Sequence, residues 1–535
     1  MLPRRSFSRS AVGCGFRRGV AAFAALCCLC LPAADAYGQD AGVPPTQEEL
    51  LEQYKQIVSA GQEQLQNGDF AAAAESFNEA ARRSANNPQI LLFRAQALLG
   101  LGDAEGAIAD LKSALSSGQI EPAFMPQARN LLSGAYLEVG DLQQALRNAE
   151  MAIDEDRGNI NFYRNLGEAQ VLLGDAPGGE KSLSKYIAAL VQEEGLAETP
   201  DAAEVFRLRG QAYAALGKTA KALADIDQSI EIVADDHETY LAKGLILLQD
   251  EEYKPAADAL ALAIENYEPA DPDLPVPFTQ AYLTRASALE EYGKKLDDTA
   301  EQEAAFGEVK AACEQLLDEL SDGPETAQAR AAALFRLGVA ERLLDNIPAA
   351  VKALSDAIDL NPGLGEAYFR RGICFWYLDE PKLALGDFEQ GAAINFDSPR
   401  SNLWKGRCWV SLGDQREAVK AFSQAVAVSD RYTVAYVHRG LTYLHIGEYQ
   451  RAVNDFNNAI RLEPTDGENY YFRGVAFSRL GETDRAIKSM VNAIKFAPEL
   501  LDAYDALEQE LRKAGRGSLA DEYRREADRL RAGAE

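Results

Sequence analysis

The sequence predicts an all-α fold, a solenoid of about thirteen helix–turn–helix units. Three observations carry that reading. First, glycines fall in a strict 34-residue register at Gly338, Gly372, Gly406, Gly440 and Gly474. Second, the apolar residues around them recur at spacings of three and four, the period of one helix face. Third, no run alternates apolar and polar residues long enough for a half-buried strand. Two short amphipathic helices cannot bury their apolar faces alone, so each unit must stack on its neighbours.

The stretch Thr433 to Asp466 shows the unit most clearly. Tyr436, Gly440 and Tyr443 share one face of its first helix, and Ile446-Gly447-Glu448 supplies the turn. Ala452, Phe456 and Ala459 line the second helix until Pro464, which lacks the amide for a further turn, stops it. On Tyr436, Gly440, Tyr443, Gly447, Ala452, Phe456, Ala459 and Pro464 the unit resembles a tetratricopeptide repeat. The resemblance implies a right-handed superhelical array whose concave surface is lined by first helices and usually holds an extended or helical peptide.

In chain order, residues 1–36 read as a secretory signal. Arg4, Arg5, Arg9, Arg17 and Arg18 precede an apolar run from Val20 to Leu31 and an Ala-x-Ala exit, with cleavage expected after Ala36. The run is too short for a membrane span, which takes about 20 apolar residues. Export to a periplasmic or extracellular location follows, by the general route or by the twin-arginine route that Arg4-Arg5-Ser6-Phe7 loosely resembles. Cys27, Cys28 and Cys30 read as apolar filler of that peptide. Residues 37–47 form a polar linker.

Residues 48–268 make an N-terminal array anchored at Gly61, Ala95, Ser133, Gly167, Gly210 and Gly244, with expansions before the third and fifth units. Residues 269–326 form a proline-rich joint, EPADPDLPVP around it, and an irregular repeat whose second helix comes late, from about Glu301 to Leu320. Residues 327–535 form a regular C-terminal array. Its last unit puts the charged Arg524 where others have Phe or Leu, as a terminal cap requires.

The formal charge of -29 disfavours nucleic acid, which needs clustered Lys and Arg. Residues 37–330 hold that charge, at -30, because residues 1–36 carry +4 and residues 331–535 carry 27 basic and 30 acidic residues. No catalytic site, metal site or cofactor is indicated. His237, His438 and His445 are the only histidines, and no Cys or carboxylate set with metal spacing accompanies them. The glycines come singly rather than as a phosphate-cradling loop. Cys374 and Cys408, one repeat apart, read as buried thiols, with a disulfide as the alternative in an oxidising compartment.

Comparison among the repeats predicts an internal clasp. In four units an Arg immediately precedes the anchor and an Asp follows the anchor by fifteen residues: Arg94 with Asp110, Arg209 with Asp225, Arg371 with Asp387, Arg439 with Asp455. Units with Leu132, Leu166 or Leu337 before the anchor lack that Asp. A guanidinium and a carboxylate so placed can pair bidentately between the two helices of one unit.

The resemblance also selects groove positions, two, five and nine residues into each first helix and a turn later. In the C-terminal array these pick Phe335, Phe369, Trp376, Tyr377, Arg407, His445, Tyr471 and Arg479. Aromatics and arginines dominate binding hot spots. Phe369, Trp376 and Tyr471 have a second reading, packing between units. The N-terminal equivalents Leu92, Gln96, Glu204, Arg207 and Gln211 are blander. One variant of the family grips a C-terminal carboxylate with Lys and Asn; Phe369, Ile373, Leu403 and Arg407 stand at those positions, so that specificity is not carried over. The resulting expectation is a non-catalytic scaffold or adaptor that captures a protein or peptide on the concave face. The alternative is a structural subunit of an envelope assembly, or an accessory chain to a separate enzyme.

Overall fold

A computed structural model describes residues 46–84, 87–192, 198–269, 278–394 and 396–533. The expected signal peptide, nearly all of the linker at 37–47, most of the expansion before the fifth unit and most of the proline-rich joint lie outside the described residues. Within them the fold is all-α, and helices pack against their neighbours in sequence along most of the chain.

The helices run α1 (Gln47–Gln66), α2 (Phe70–Arg83), α3 (Pro88–Gly100), α4 (Ala104–Ser116), α5 (Met125–Glu138), α6 (Leu142–Glu155), α7 (Phe162–Leu172), α8 (Ala176–Leu190), α9 (Pro200–Ala215), α10 (Thr219–Ile232), α11 (His237–Gln249) and α12 (Tyr253–Glu265). They continue with α13 (Thr279–Lys295), α14 (Thr299–Glu319), α15 (Ala327–Leu343), α16 (Ile347–Leu360), α17 (Gly365–Tyr377), α18 (Pro381–Ala393), α19 (Pro399–Ser411) and α20 (Gln415–Val428). The last are α21 (Thr433–His445), α22 (Tyr449–Leu462), α23 (Gly467–Arg479), α24 (Thr483–Phe496), α25 (Leu501–Lys513) and α26 (Gly517–Gly533). A short 3-10 turn at Pro122–Phe124 takes up the expansion before the third unit.

The chain divides into two compact units, one ending at Ala288 and one beginning at Leu289. Within the second unit α14 packs directly on α15, and Lys310 of α14 reaches Glu341 of α15 at 2.9 Å.

Two devices shape each unit. The turn residue seven after the anchor is left-handed, as at Gly413 (φ 82°) and Gly447 (φ 84°), and it reverses the chain without a Cβ clash. In several units the next residue is an Asp that caps the second helix: Asp69 accepts from the Ala72 amide and Asp414 from the Glu417 amide. The anchor glycine then lets the helices close. A Cβ on Gly440 would lie 2.8 Å from the Phe456 ring, which is fully buried. Burying each such ring contributes roughly 2–3 kcal/mol. No described helix is long and apolar enough to cross a membrane.

Candidate partner-binding groove

In the second unit α15, α17, α19, α21, α23 and α25 touch one another in succession, whereas consecutive second helices make no comparable contact. Closer spacing on one side curves the array toward that side. The first helices therefore line the inner face of this unit, and the same holds for α1, α3, α5, α7, α9 and α11 of the first unit.

The predicted residues separate on this face. Tyr377 is 63% exposed, and His445 and Arg479 are exposed. Trp376 is half-buried, edge-on to Trp404 at 5.7 Å. Arg407 stacks on Trp404 at 4.2 Å and stands 5.1 Å from Trp376, so α17 and α19 share one aromatic–guanidinium cluster. Tyr471 is half-buried beside Phe472 at 5.4 Å. Burial pushes its hydroxyl pKa up, helped by Asp502 and Asp505. Phe335 is half-buried against the core of Ile347, Leu354 and Cys374.

Phe369 is a correction. It is only 3% exposed, packed against Phe388 at 5.6 Å and Phe396 at 5.4 Å, with the Arg400 guanidinium 5.8 Å above it. A ring on the connecting segment and a neighbouring arginine cover the position, which leaves no area for a partner.

The same stepping rule reaches residues not singled out from the sequence. Val410, at the step of α19 that Trp376 holds on α17, is 40% exposed, and Val434, the second residue of α21, is 44% exposed. Arg342 stands four residues after its anchor on α15, the step that Trp376 holds on α17, and Arg400 is the second residue of α19. Selecting only for aromatic character and Arg in the central units missed the aliphatic pair.

Electrostatically this face is cationic at its α15–α19 end. Burial lowers the pKa of the Arg342 guanidinium, and nearby Arg370 lowers it further; its Nε has no hydrogen-bond partner. Arg370 itself is held by Glu366 at 2.8 Å. His438 is lowered by burial and by Arg407, and it stacks on Phe422 at 5.6 Å, a packing role.

The first unit's inner face is a ladder of ion pairs. Arg164 of α7 donates to Asp201 at 2.7 Å and to Glu204 of α9 at 2.6 Å, and Arg207 of α9 reaches Glu238 of α11 at 2.7 Å. Leu92 and Gln96 are buried, at 1% and 5% exposure. This face is committed to binding its own repeats together.

Chemistry beyond binding has little to work with. Among the described residues no group of three or more His, Cys, Asp or Glu is placed to hold a metal ion. Cys313, Cys374 and Cys408 are free and buried, and burial pushes their thiols up to about 12, 11 and 12. Thiols so protonated are poor nucleophiles.

Models of the tetratricopeptide repeat match residues 58–122, 434–466 and 467–500. The chain carries tetratricopeptide repeats. Such repeats generally mediate protein–protein interaction, and neither matching model describes an enzyme. Over 76 residues the chain is 36% identical to Protein SGT1 homolog of Oryza sativa subsp. japonica, a match spanning 14% of this chain and 21% of that protein's length. Among solved structures, MamA is 20% identical over 32% of this chain and 93% of its own, at a TM-score of 0.31. YrrB, described as a tetratricopeptide-repeat protein with an unusual peptide-binding site, is 19% identical over 33% and 91%, at 0.31. The Cut9–Hcn1 assembly of the APC/C is 16% identical over 91% and 94%, at 0.34.

Proposed function

We propose that the chain is a non-catalytic scaffold or adaptor that captures a peptide or protein segment on the inner face of its second array of tetratricopeptide repeats. One observation carries the reading: Tyr377 near the end of α17 and Val410 near the end of α19 are 63% and 40% exposed on the inner face that also carries the Trp376–Arg407 cluster. Exposed apolar groups next to stacked arginine are what interface hot spots use. The first array, with its ion-pair ladder, serves as the stiff acidic support. The basic and apolar pattern of residues 1–36 supports a working location outside the cytoplasm, periplasmic or extracellular, and N-terminal sequencing of the mature chain tests that part.

Photo-crosslinking from position 377 of the full chain in the exporting cell tests capture. A defined adduct that disappears in Trp376→Ala supports it. Leu383 of α18 and Val428 of α20 are 52% and 50% exposed on second helices, and they support the alternative of a structural subunit working through its outer face. Adducts from position 383 or 428 with none from 377 would favour that alternative.

A further inference from the structure

Resting on that reading, we infer that this inner face takes an extended acidic peptide, gripping two side-chain carboxylates at Arg342 and at Arg407, with apolar residues between them over Tyr377 and Trp376 and with Arg400, two turns before Arg407 on α19, adding positive charge.

The argument starts from which arginines lack a counter-charge. Arg330, Arg336, Arg370, Arg371 and Arg439 of this unit each pair with a carboxylate of the chain. Arg342, Arg400 and Arg407 have none among the described residues, although the chain has 83 Asp and Glu against 54 Lys and Arg. All three stand at groove steps of α15 and α19. Arg342 is the most telling, because its guanidinium is half-buried and its Nε lacks any acceptor. A charge removed from water without a partner is destabilising until an anion arrives.

Arg407 is prepared differently. It lies 4.2 Å over the Trp404 ring, and its N–H groups, for which no carboxylate of the described residues is a partner, can donate bidentately to a carboxylate. Arg400 lies over Phe369 at 5.8 Å in the same way. Between these two cationic positions the surface is apolar, with Tyr377 63% exposed.

Spacing sets the ligand. Packed helices lie about 8–10 Å apart, so Arg342 and Arg407, two first-helix steps apart, are separated by roughly 16–20 Å. An extended chain rises about 3.3 Å per residue, which makes that five or six residues. A strip of alternating charge and apolar area of this length matches a peptide.

The test uses the full chain and fluorescein-labelled, C-terminally amidated nine-residue peptide libraries with Glu second and eighth and apolar residues enriched between, beside the same libraries with Gln or Lys at those positions. Anisotropy should show the Glu library binding at least about tenfold tighter than the Gln library, with the gap narrowing as salt rises. Arg342→Gln and Arg407→Gln should each abolish most of that gap, and Arg407→Lys should restore only part of it. Circular dichroism of each variant excludes unfolding; Arg400→Gln, at an exposed position, provides a variant whose fold is not at risk. Equal binding of Glu and Gln libraries, still lost in Trp376→Ala, would overturn the acidic ligand and leave groove capture standing. Binding by no library at about 1 mM peptide would overturn both. Tighter binding of a single-stranded oligonucleotide than of the Glu library, or of free-carboxylate peptides lacking Glu, would also overturn it.

Discussion

Arg439 and Asp455 form a two-point clasp between α21 and α22. Nε donates to Oδ2 at 2.8 Å and Nη2 to Oδ1 at 2.7 Å. The remaining nitrogen, Nη1, donates to Ser423 Oγ of α20 at 3.0 Å, so one guanidinium fastens three helices and two units. Arg371 repeats the arrangement with Asp387 and Ser355, and Arg94 with Asp110 and Asn78. Arg209 pairs with Asp225 in the same two-point manner.

Breaking one clasp should loosen both units it joins. The side chains of Arg439 and Asp455 are only 17% and 5% exposed, so Asp455→Ala strands a charge and should cost about 3 kcal/mol, while Arg439→Met with Asp455→Leu should cost markedly less. Hydrogen exchange of the α20–α22 amides is the measurement, since a repeat array responds locally. An unchanged exchange pattern in Asp455→Ala would show that the clasp carries no stability.

The unit that lacks the Asp offers the reverse experiment. Arg473 donates from Nε to Ser489 Oγ at 3.2 Å and from Nη1 to Asn457 at 2.9 Å, and burial, with Arg485 nearby, lowers its pKa. Ser489→Asp should complete the clasp and stabilise by about 1 kcal/mol in urea unfolding. The gain should vanish in an Arg473→Met background. A loss of stability in Ser489→Asp with Arg473 intact would refute the assignment.

The fold was legible because its determinants repeat. Anchor glycines, left-handed turn residues and the Arg–Asp pairs all recur in one register, so each unit confirms the next. The Ser355 and Ser423 acceptors keep the same register, sixteen residues before their arginines, yet a serine carries too little chemical signature to be noticed without its partner. Site residues were less legible because one helix step serves two purposes. Phe369 and Tyr471 occupy the same step of α17 and α23, and they differ only in what arrives from outside the repeat pattern. Phe396 and Arg400 cover Phe369, whereas Tyr471 keeps part of its ring in solvent.

Three turns carry strain that the glycine turns avoid. Glu251, Asp345 and Asp379 adopt φ of 60°, 60° and 59° at the step where Gly413, Gly447 and Gly481 stand. A side chain in the left-handed region costs about 1 kcal/mol relative to glycine there. Asp345→Gly and Asp379→Gly should each stabilise by roughly 0.5–1 kcal/mol, the greater freedom of glycine in the unfolded chain offsetting part of the relief. Thermal unfolding measures this, and a lower midpoint in both variants would contradict it.

Glu138 should make the first unit sensitive to pH. Burial at the end of α5, and then the Glu168 carboxylate of α7, push it from an ordinary 4.5 to about 7. Glu168 is reached by Arg164 at 3.3 Å, but Arg164 also serves Asp201 and Glu204, so carboxylates outnumber guanidiniums here. A carboxyl whose folded pKa is raised holds a proton that the unfolded chain releases. Its contribution is therefore most favourable below about 4.5, falls as pH rises toward 7 and is least favourable above that. Glu138→Gln removes the titration while keeping the shape. The variant should match the parent near pH 4.5 and exceed it at pH 8, by on the order of 1 kcal/mol once solvent screening at this partly exposed position is allowed for. Urea unfolding across that interval, read from exchange of the α5–α9 amides, gives the difference curve. A flat curve, or a variant less stable than the parent at pH 8, would mean that Glu138 is ionised in the folded chain at no cost and that the ladder absorbs its charge.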